Sequence, residues 1–326
     1  MAKITVLGAG GWGMALARSA AAGGHEVTIW SPFEEEIALL REKRGNERLL
    51  PGVTLPEEIK LTTDITAAKG SHITIIATPS GAVRQTARRL AGVPDTGIPV
   101  CVAKGFEKDT MLRLSQVIGQ ELPGREVVAL SGPSHAEEVA RDIPTTVVAA
   151  SATLSYAEVV QDALRSDTLR IYTNDDIIGV EIGGAVKNVI AVCVGLCNGL
   201  GLGDNTKAAL MTRGLAEMER LGACLGARHR TFSGLSGIGD LIVTCTSLHS
   251  RNNRFGTLVG GGKEVKEALA EVGTVEGYYA AEIVYRMAKK YRIELPIIEE
   301  CYKVLYEGKD VRQVSGDLMS RPKRAE

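Results

Sequence analysis

Along residues 1–174, short aliphatic and β-branched runs alternate with amphipathic or alanine-rich stretches, which predicts strands and helices in turn. The first run, Ile4-Thr5-Val6-Leu7, ends in Gly8-Ala9-Gly10-Gly11-Trp12-Gly13. Residues 14–22 are rich in alanine and leucine and read as a helix stopped by Gly23-Gly24, and residues 26–30 form a second strand. Further strands are predicted at 72–77, 99–103, 126–130, 145–150 and 169–173, with helices at 34–44 and 83–90. From residue 175 the strand-like runs give way to helical periodicity at 177–200, 207–225, 265–272, 277–291 and 297–306. Two domains follow, 1–180 and 181–326, the second all-helical, with the first of its helices running on from one domain into the other. The polar residues 315–326 are expected to fray.

Strand, G-x-G-x-x-G and helix in that order make a dinucleotide fingerprint within a βαβ unit. The glycines serve different ends: Gly8 makes a tight turn, Gly10 leaves a bare backbone for pyrophosphate, and Gly13 lets helix and strand pack closely. The helix that begins near Gly11 points free N–H groups at the phosphates. The first domain is therefore expected to be a Rossmann-type parallel sheet within an α/β chain. An Asp or Glu about 20 residues past the glycines marks an NAD site, yet the second strand ends in Ser31-Pro32-Phe33. The missing carboxylate permits NADP, while Glu34, Glu35 and Glu36 follow at once. Arg41, Lys43 and Arg44 could meet a 2′-phosphate only if the loop folds back.

Composition narrows the partners. Lysine and arginine total 38 against 39 acids, a net charge of −1, which carries no footprint for nucleic acid or an anionic membrane. A small-molecule substrate is expected. The six cysteines are scattered, none in a C-x-x-C pair, so buried free thiols are predicted and no metal site. No apolar run is expected to reach the ~18 residues that a membrane span requires, and the glycines interrupt any signal-peptide core. A cytoplasmic protein without membrane insertion is the expectation, and a homodimer is compatible with the chain.

In the helix at 177–200, Gly179, Gly183, Lys187 and Ala191 fall on one face with Gly184 beside them. Interior helical glycines cost ~1 kcal/mol each relative to alanine, so close approach of a ligand or another backbone is implied. Lys187 in that groove, next to Asn188, is a candidate acid or base; as an ordinary lysine it would snorkel to solvent. Burial would push its pKa down, and a nearby Asp240 would oppose that. Asp240 and Thr244 are i and i+4, and so share one helical face. Ser250 can cap a helix carrying Arg251 and Asn252, which makes a ready anion site or simply a capped helix with solvated arginines. His25 and His72 precede strands and read as structural, and no Ser-His-Asp or metal-ligand spacing stands out.

Taken together, Gly8-x-Gly10-x-Trp12-Gly13, Ala103-Lys104-Gly105, Ser131-Gly132-Pro133-Ser134, Gly183-Gly184-Ala185-Val186-Lys187-Asn188, Gly237-x-Gly239-Asp240 and Ser250-Arg251-Asn252 resemble the bacterial NAD(P)-dependent glycerol-3-phosphate dehydrogenases over nearly the whole chain. The resemblance implies interconversion of sn-glycerol 3-phosphate and dihydroxyacetone phosphate with NADP or NAD, supplying phospholipid backbones. It implies cofactor contacts at Gly11, Trp12, Lys104, Ala136, Arg251 and Glu276, and at Thr274, where a valine is more usual. It also implies a substrate site lined by Lys104, Gly132, Ser134, Lys187, Asp240, Ser250, Arg251 and Asn252. Two rivals differ in chemistry: a dehydrogenase of 3-hydroxy acids, which needs no phosphate seat at Ser250-Arg251-Asn252, and a redox sensor that binds NAD(P)H without turnover.

Overall fold

The computed structural model describes residues 1–323. Its contacts divide the chain into two compact units, Met1–Glu181 and Ile182–Glu326. Unit 1 runs β1 (Lys3–Leu7), α1 (Gly11–Ala22), β2 (Glu26–Trp30), α2 (Glu34–Lys43), β3 (Lys60–Thr62), β4 (Ile73–Ile76), α3 (Val83–Ala91), β5 (Ile98–Cys101), α4 (Leu114–Glu121), β6 (Val128–Ser131), α5 (Ala136–Val139), β7 (Thr145–Ala150), α6 (Leu154–Leu164) and β8 (Leu169–Asn174). The strands form one sheet in the order β3-β2-β1-β4-β5-β6-β7-β8. Strand order reverses between β1 and β4, the switch point beyond whose carboxyl ends open α/β sheets bind ligands. β1 delivers the glycines there.

The inner strands carry buried apolar residues on both faces, as a sheet covered by helices on each side requires, while the edge strands β3 and β8 are partly exposed. Ile4, Val6, Val27, Ile29, Ile73 and Ile75 pack with Met14 and Leu16 of α1 and Val160 of α6. Leu7, Trp30, Ile76 and Cys101 turn the other way, onto Val83 and Leu90 of α3 and Val117 and Ile118 of α4. Burying each large aliphatic side chain in these layers contributes about 1.5–3 kcal/mol. The sheet is the expected parallel Rossmann type except at one pairing: β6 and β7 run antiparallel, Ala129 opposite Ala150. Between them the chain forms only the four-residue α5, too short to carry it back along the sheet for a parallel return. The hydrophobic pattern also does not single out β3, α4 or α6.

Unit 2 is helical. α7 (Ile177–Gly199) starts in unit 1 and ends in unit 2, followed by α8 (Asp204–Cys224), α9 (His229–Phe232), α10 (Asp240–Thr246), α11 (Arg251–Gly260), α12 (Val265–Val272), α13 (Glu276–Tyr291), α14 (Pro296–Tyr306) and α15 (Val311–Met319). α7 meets α11 through glycines. A Cβ at Gly195 would lie 2.2 Å from the Asn253 carbonyl oxygen, and one at Gly256 2.2 Å from that of Val192. With a mean hydropathy of 1.8, α7 is long and apolar enough to cross a membrane, which corrects the reading that no such stretch exists; 89% of that window is buried inside the fold. The terminal stretch expected to fray is helical to Met319. Asp310 caps α15 by accepting from Arg312 N at 2.9 Å, and Lys309 bonds Asp317 at 2.5 Å; residues 324–326 lie outside the described part. Of the six free thiols five are buried, while Cys224 is exposed, against expectation.

Candidate active site

In unit 1, Gly8 takes φ +132°, and a Cβ there would lie 2.6 Å from the Ala77 carbonyl oxygen, so only glycine makes the turn out of β1. A Cβ at Gly13 would lie 2.2 Å from the Gly8 carbonyl oxygen, the close approach that seats α1 on that turn. Gly10 is the opposite case. Nothing stands within 4 Å of the place its Cβ would take, and it caps α1 without a side-chain hydrogen bond. The first N–H groups of α1 have no acceptor within the helix, and the bare backbone at Gly10 leaves room beside them, as a pyrophosphate seat requires. Trp12 Nε1 is buried without a hydrogen-bond partner among the described residues. Ala136 belongs to this cradle: its Cβ lies 3.7 Å from the place a Gly11 Cβ would occupy. These residues fit a dinucleotide.

Lys104 follows β5, and the Ser131–Ser134 loop follows β6. Lys104 Nζ donates to the Gly132 carbonyl at 2.8 Å and to Ser134 Oγ at 3.2 Å, while Ser134 Oγ donates to the same carbonyl at 2.9 Å. Gly132 allows this with φ +124°. The ammonium is thus fixed at the carboxyl edge of the sheet. The strand end at Ser31 differs from expectation. It does carry a carboxylate, because Ser31 Oγ donates to Glu36 Oε2 at 2.5 Å. Nor do Arg41 and Arg44 turn to it. Arg41 donates to Glu34 at 3.0 Å and to the Leu61 carbonyl at 3.2 Å, and Arg44 donates to the carbonyls of Pro56 and Ile59.

In unit 2, Lys187 does not snorkel to solvent. It is 5% exposed, with Nζ 2.5 Å from Asp240 Oδ1 and 2.7 Å from Thr244 Oγ1. Asp240 and Thr244 meet it together because they are one turn apart on α10, and the Thr244 hydroxyl also reaches the Asp240 carbonyl at 2.6 Å. The chain enters α10 through a π-helical turn at Leu235–Gly239. A Cβ at Gly183 would lie 2.3 Å from the Ser236 carbonyl oxygen in that turn, so the glycine lets α7 and the turn touch by backbone and brings Asp240 onto Lys187. What results is a buried lysine whose ammonium is oriented by two side chains of one helix.

Next to it, Ser250 caps α11, accepting from Asn253 N at 3.2 Å, and Arg251 is the exposed first residue of that helix. Asn252 is engaged within the fold. Its Nδ2 donates to Asn188 Oδ1 at 2.9 Å and its Oδ1 accepts from Gly277 N at 2.9 Å, joining α7, α11 and the first turn of α13. That turn begins with Glu276, and Thr274 is exposed in the loop before it. The Asn188–Asn252–Gly277 link is invisible in the sequence, since an asparagine carries no mark of its distant partners. Cys245 lies beneath Lys187, and burial pushes its thiol up to about 12, so it is inert. His25 and His72 are structural as expected, their Nδ1 atoms accepting from Ala2 N and Lys3 N, each at 3.0 Å.

The chain matches two family models: the N-terminal region of NAD-dependent glycerol-3-phosphate dehydrogenase over residues 3–157 and its C-terminal region over residues 176–315. It is 50% identical over 328 residues to the glycerol-3-phosphate dehydrogenase [NAD(P)+] of Desulfitobacterium hafniense, covering 100% of this chain and 93% of the relative. The corresponding protein of Moorella thermoacetica is 52% identical over 327 residues, covering 99% of this chain and 97% of the relative. A crystal structure of glycerol-3-phosphate dehydrogenase from Coxiella burnetii superposes with a TM-score of 0.94 at 37% identity, covering 98% of this chain and 99% of that one. With fingerprint, buried lysine and full-length similarity in agreement, the chain belongs to the NAD-dependent glycerol-3-phosphate dehydrogenase family.

Proposed function

We propose that this chain interconverts sn-glycerol 3-phosphate and dihydroxyacetone phosphate with NAD(P)H or NAD(P)+, and that it supplies glycerol 3-phosphate for phospholipid synthesis in the cytoplasm. The observation that carries the reading is the buried Lys187 held by Asp240 and Thr244 near the capped N-terminus of α11, in a chain that matches this family at both ends. In this reading unit 1 is the dinucleotide-binding domain and unit 2 the substrate-binding domain. Gly8, Gly10, Gly11, Trp12, Gly13 and Ala136 cradle the cofactor. When bound, the nicotinamide exchanges a hydride with C2 of the substrate.

The protein's own part is binding and proton transfer. In reduction Lys187 gives a proton to the C2 oxygen as that carbon gains the hydride, and in oxidation it takes the hydroxyl proton back. Asp240 and Thr244 keep Nζ on one line of approach between turnovers. Ser250, Arg251 and the first N–H groups of α11 take the phosphate, a helix N-terminus and a guanidinium being suited to a dianion. Asn252 holds that helix start in place through Asn188 and Gly277. Lys104, with Gly132 and Ser134, holds the rest of the substrate. The test is spectrophotometric: NADH or NADPH is mixed with dihydroxyacetone phosphate, and in parallel with a β-keto acid, while nicotinamide absorbance is followed. Loss of absorbance with the triose phosphate alone is expected. Turnover of the β-keto acid alone, or of neither, would refute the reading.

A further inference from the structure

The end of β2 carries information on the cofactor that the family name leaves open. Trp30, its last residue, is fastened beside the fingerprint, because Gly8 N donates to the Trp30 carbonyl at 2.8 Å. Ser31 follows, buried, its N–H on the Thr62 carbonyl at 3.2 Å, about 20 residues past the glycines, where a Rossmann site reads the adenine ribose. Its one proton goes to Glu36 Oε2, and it accepts from Phe33 N at 3.3 Å. Ser31 therefore cannot donate to the ribose while it makes this bond. It holds a carboxylate there.

We propose that Glu36, held by Ser31 in the first turn of α2, reads the adenine ribose and makes this chain prefer NADH to NADPH. The inference rests on the proposed dehydrogenase reading only for the presence of a nicotinamide dinucleotide. The second oxygen, Glu36 Oε1, makes no hydrogen bond among the described residues and can accept from a ribose 2′-hydroxyl. A 2′-phosphate dianion would meet that half-buried carboxylate, with Glu34 and Glu35 exposed in the same turn, and like charges close together repel. The N-terminus of α2 would by itself attract a phosphate, but three acids already occupy its first turn. Of the cations, Arg44 is turned to Pro56 and Ile59, and Arg41 would have to give up both Glu34 and the Leu61 carbonyl.

Full-length protein is titrated with NADH and with NADPH, and binding is read from nicotinamide fluorescence. NADH is expected to bind about tenfold tighter or more, a ratio that salt reduces because part of it is charge repulsion. Glu36→Gln should bring the two affinities to within about threefold of each other, chiefly by improving NADPH, since an amide still bonds a hydroxyl but does not repel a phosphate. Ser31→Ala, which frees the carboxylate from its anchor, should lower the ratio part of the way and serves if Glu36→Gln does not fold. Arg41→Ala should leave it unchanged. Equal or tighter binding of NADPH by the wild type, an unchanged ratio in Glu36→Gln, or selective loss of NADPH affinity in Arg41→Ala would overturn the proposal. The two readings fail separately: turnover of dihydroxyacetone phosphate without an NADH preference sinks this inference alone, and the preference without turnover sinks the assigned reaction alone.

Discussion

Lys187 sits among Val186, Val189 and Ile190, all fully buried, where a charge is costly unless it is paired. Asp240 and Thr244 supply the pairing, and the same contacts aim Nζ. Lys187→Ala should therefore do two things. Turnover should fall on the order of 10²-fold or more, the usual scale for a positioned acid or base. The melting temperature should also fall, because the variant leaves the buried Asp240 carboxylate without its counter-ion, a loss of about 3–5 kcal/mol. NADH binding, read by fluorescence on folded protein, should stay near normal. Lys187→Arg should rescue little turnover, since a guanidinium does not give up its proton. Near-full turnover in folded Lys187→Ala would move proton transfer elsewhere, and Lys104 would be the next residue to replace. Arg251, exposed at the start of α11, predicts a different signature. Arg251→Ala should weaken glycerol 3-phosphate by about 2–5 kcal/mol, the loss for breaking a charge-assisted pair, while leaving unphosphorylated glycerol unaffected. Equal loss for both substrates in steady-state kinetics would make the arginine structural.

Elements in unit 2 are joined by groups that titrate. Glu217 of α8 is 1% exposed and accepts from Ile297 N at 2.7 Å and Ile298 N at 3.1 Å, the first turn of α14. Burial raises its pKa to about 7, and the two backbone hydrogen bonds only partly offset that. A folded pKa above the unfolded one means that the native state binds the extra proton between those values. Stability from this group is thus fully present below the ordinary glutamate range and is lost as pH rises toward 7, by about 3 kcal/mol at most. Glu217→Gln stays neutral and still offers a carbonyl to α14. Its melting temperature relative to wild type should accordingly rise between pH 5 and pH 8. A difference that does not change with pH would mean that Glu217 keeps an ordinary carboxylate pKa in the fold. The α7–α11 contact follows another rule, since its glycines bring backbones together where any side chain would hold them apart.

At the scale of the whole molecule, the division between units falls inside α7, at Glu181 and Ile182, and not in a loop. Residues 179–197 are buried, so the segment joining the units is both helical and covered. Limited trypsin digestion should then spare Lys187 and cut first at exposed basic residues such as Lys108 or Arg228 that lie in loops. Fragments ending at Lys187, seen by mass spectrometry at early times, would show that α7 opens locally. The same burial explains why a helix with the composition of a membrane span serves as the core of a fold. Its apolar surface is used by neighbouring helices, with Lys187 and Glu181 paired inside, the latter to Arg113 and Ser115.

What the sequence determined by itself is whatever rests on neighbours a few positions away. The strand–glycine–helix order at Gly8 to Gly13, the shared face of Asp240 and Thr244 and the cap at Ser250 all follow from local geometry, and each is present in the fold. So does the alternation of strand and helix, which requires only that buried strands be apolar and exposed helices amphipathic. Tertiary structure alone decided the partners brought together across long stretches of chain. Lys187 and Asp240 are 53 residues apart, Asn252 and Asn188 are 64 apart, and neither pair leaves a periodic trace. The antiparallel turn of β7 was likewise hidden, because strand direction depends on how the chain returns and not on the pattern within the strand. Ser31 and Glu36 lie between these cases. They are only five residues apart, yet a helix start separates them, and whether the carboxylate folds back onto the strand end is settled by where β2 and β3 place Ser31.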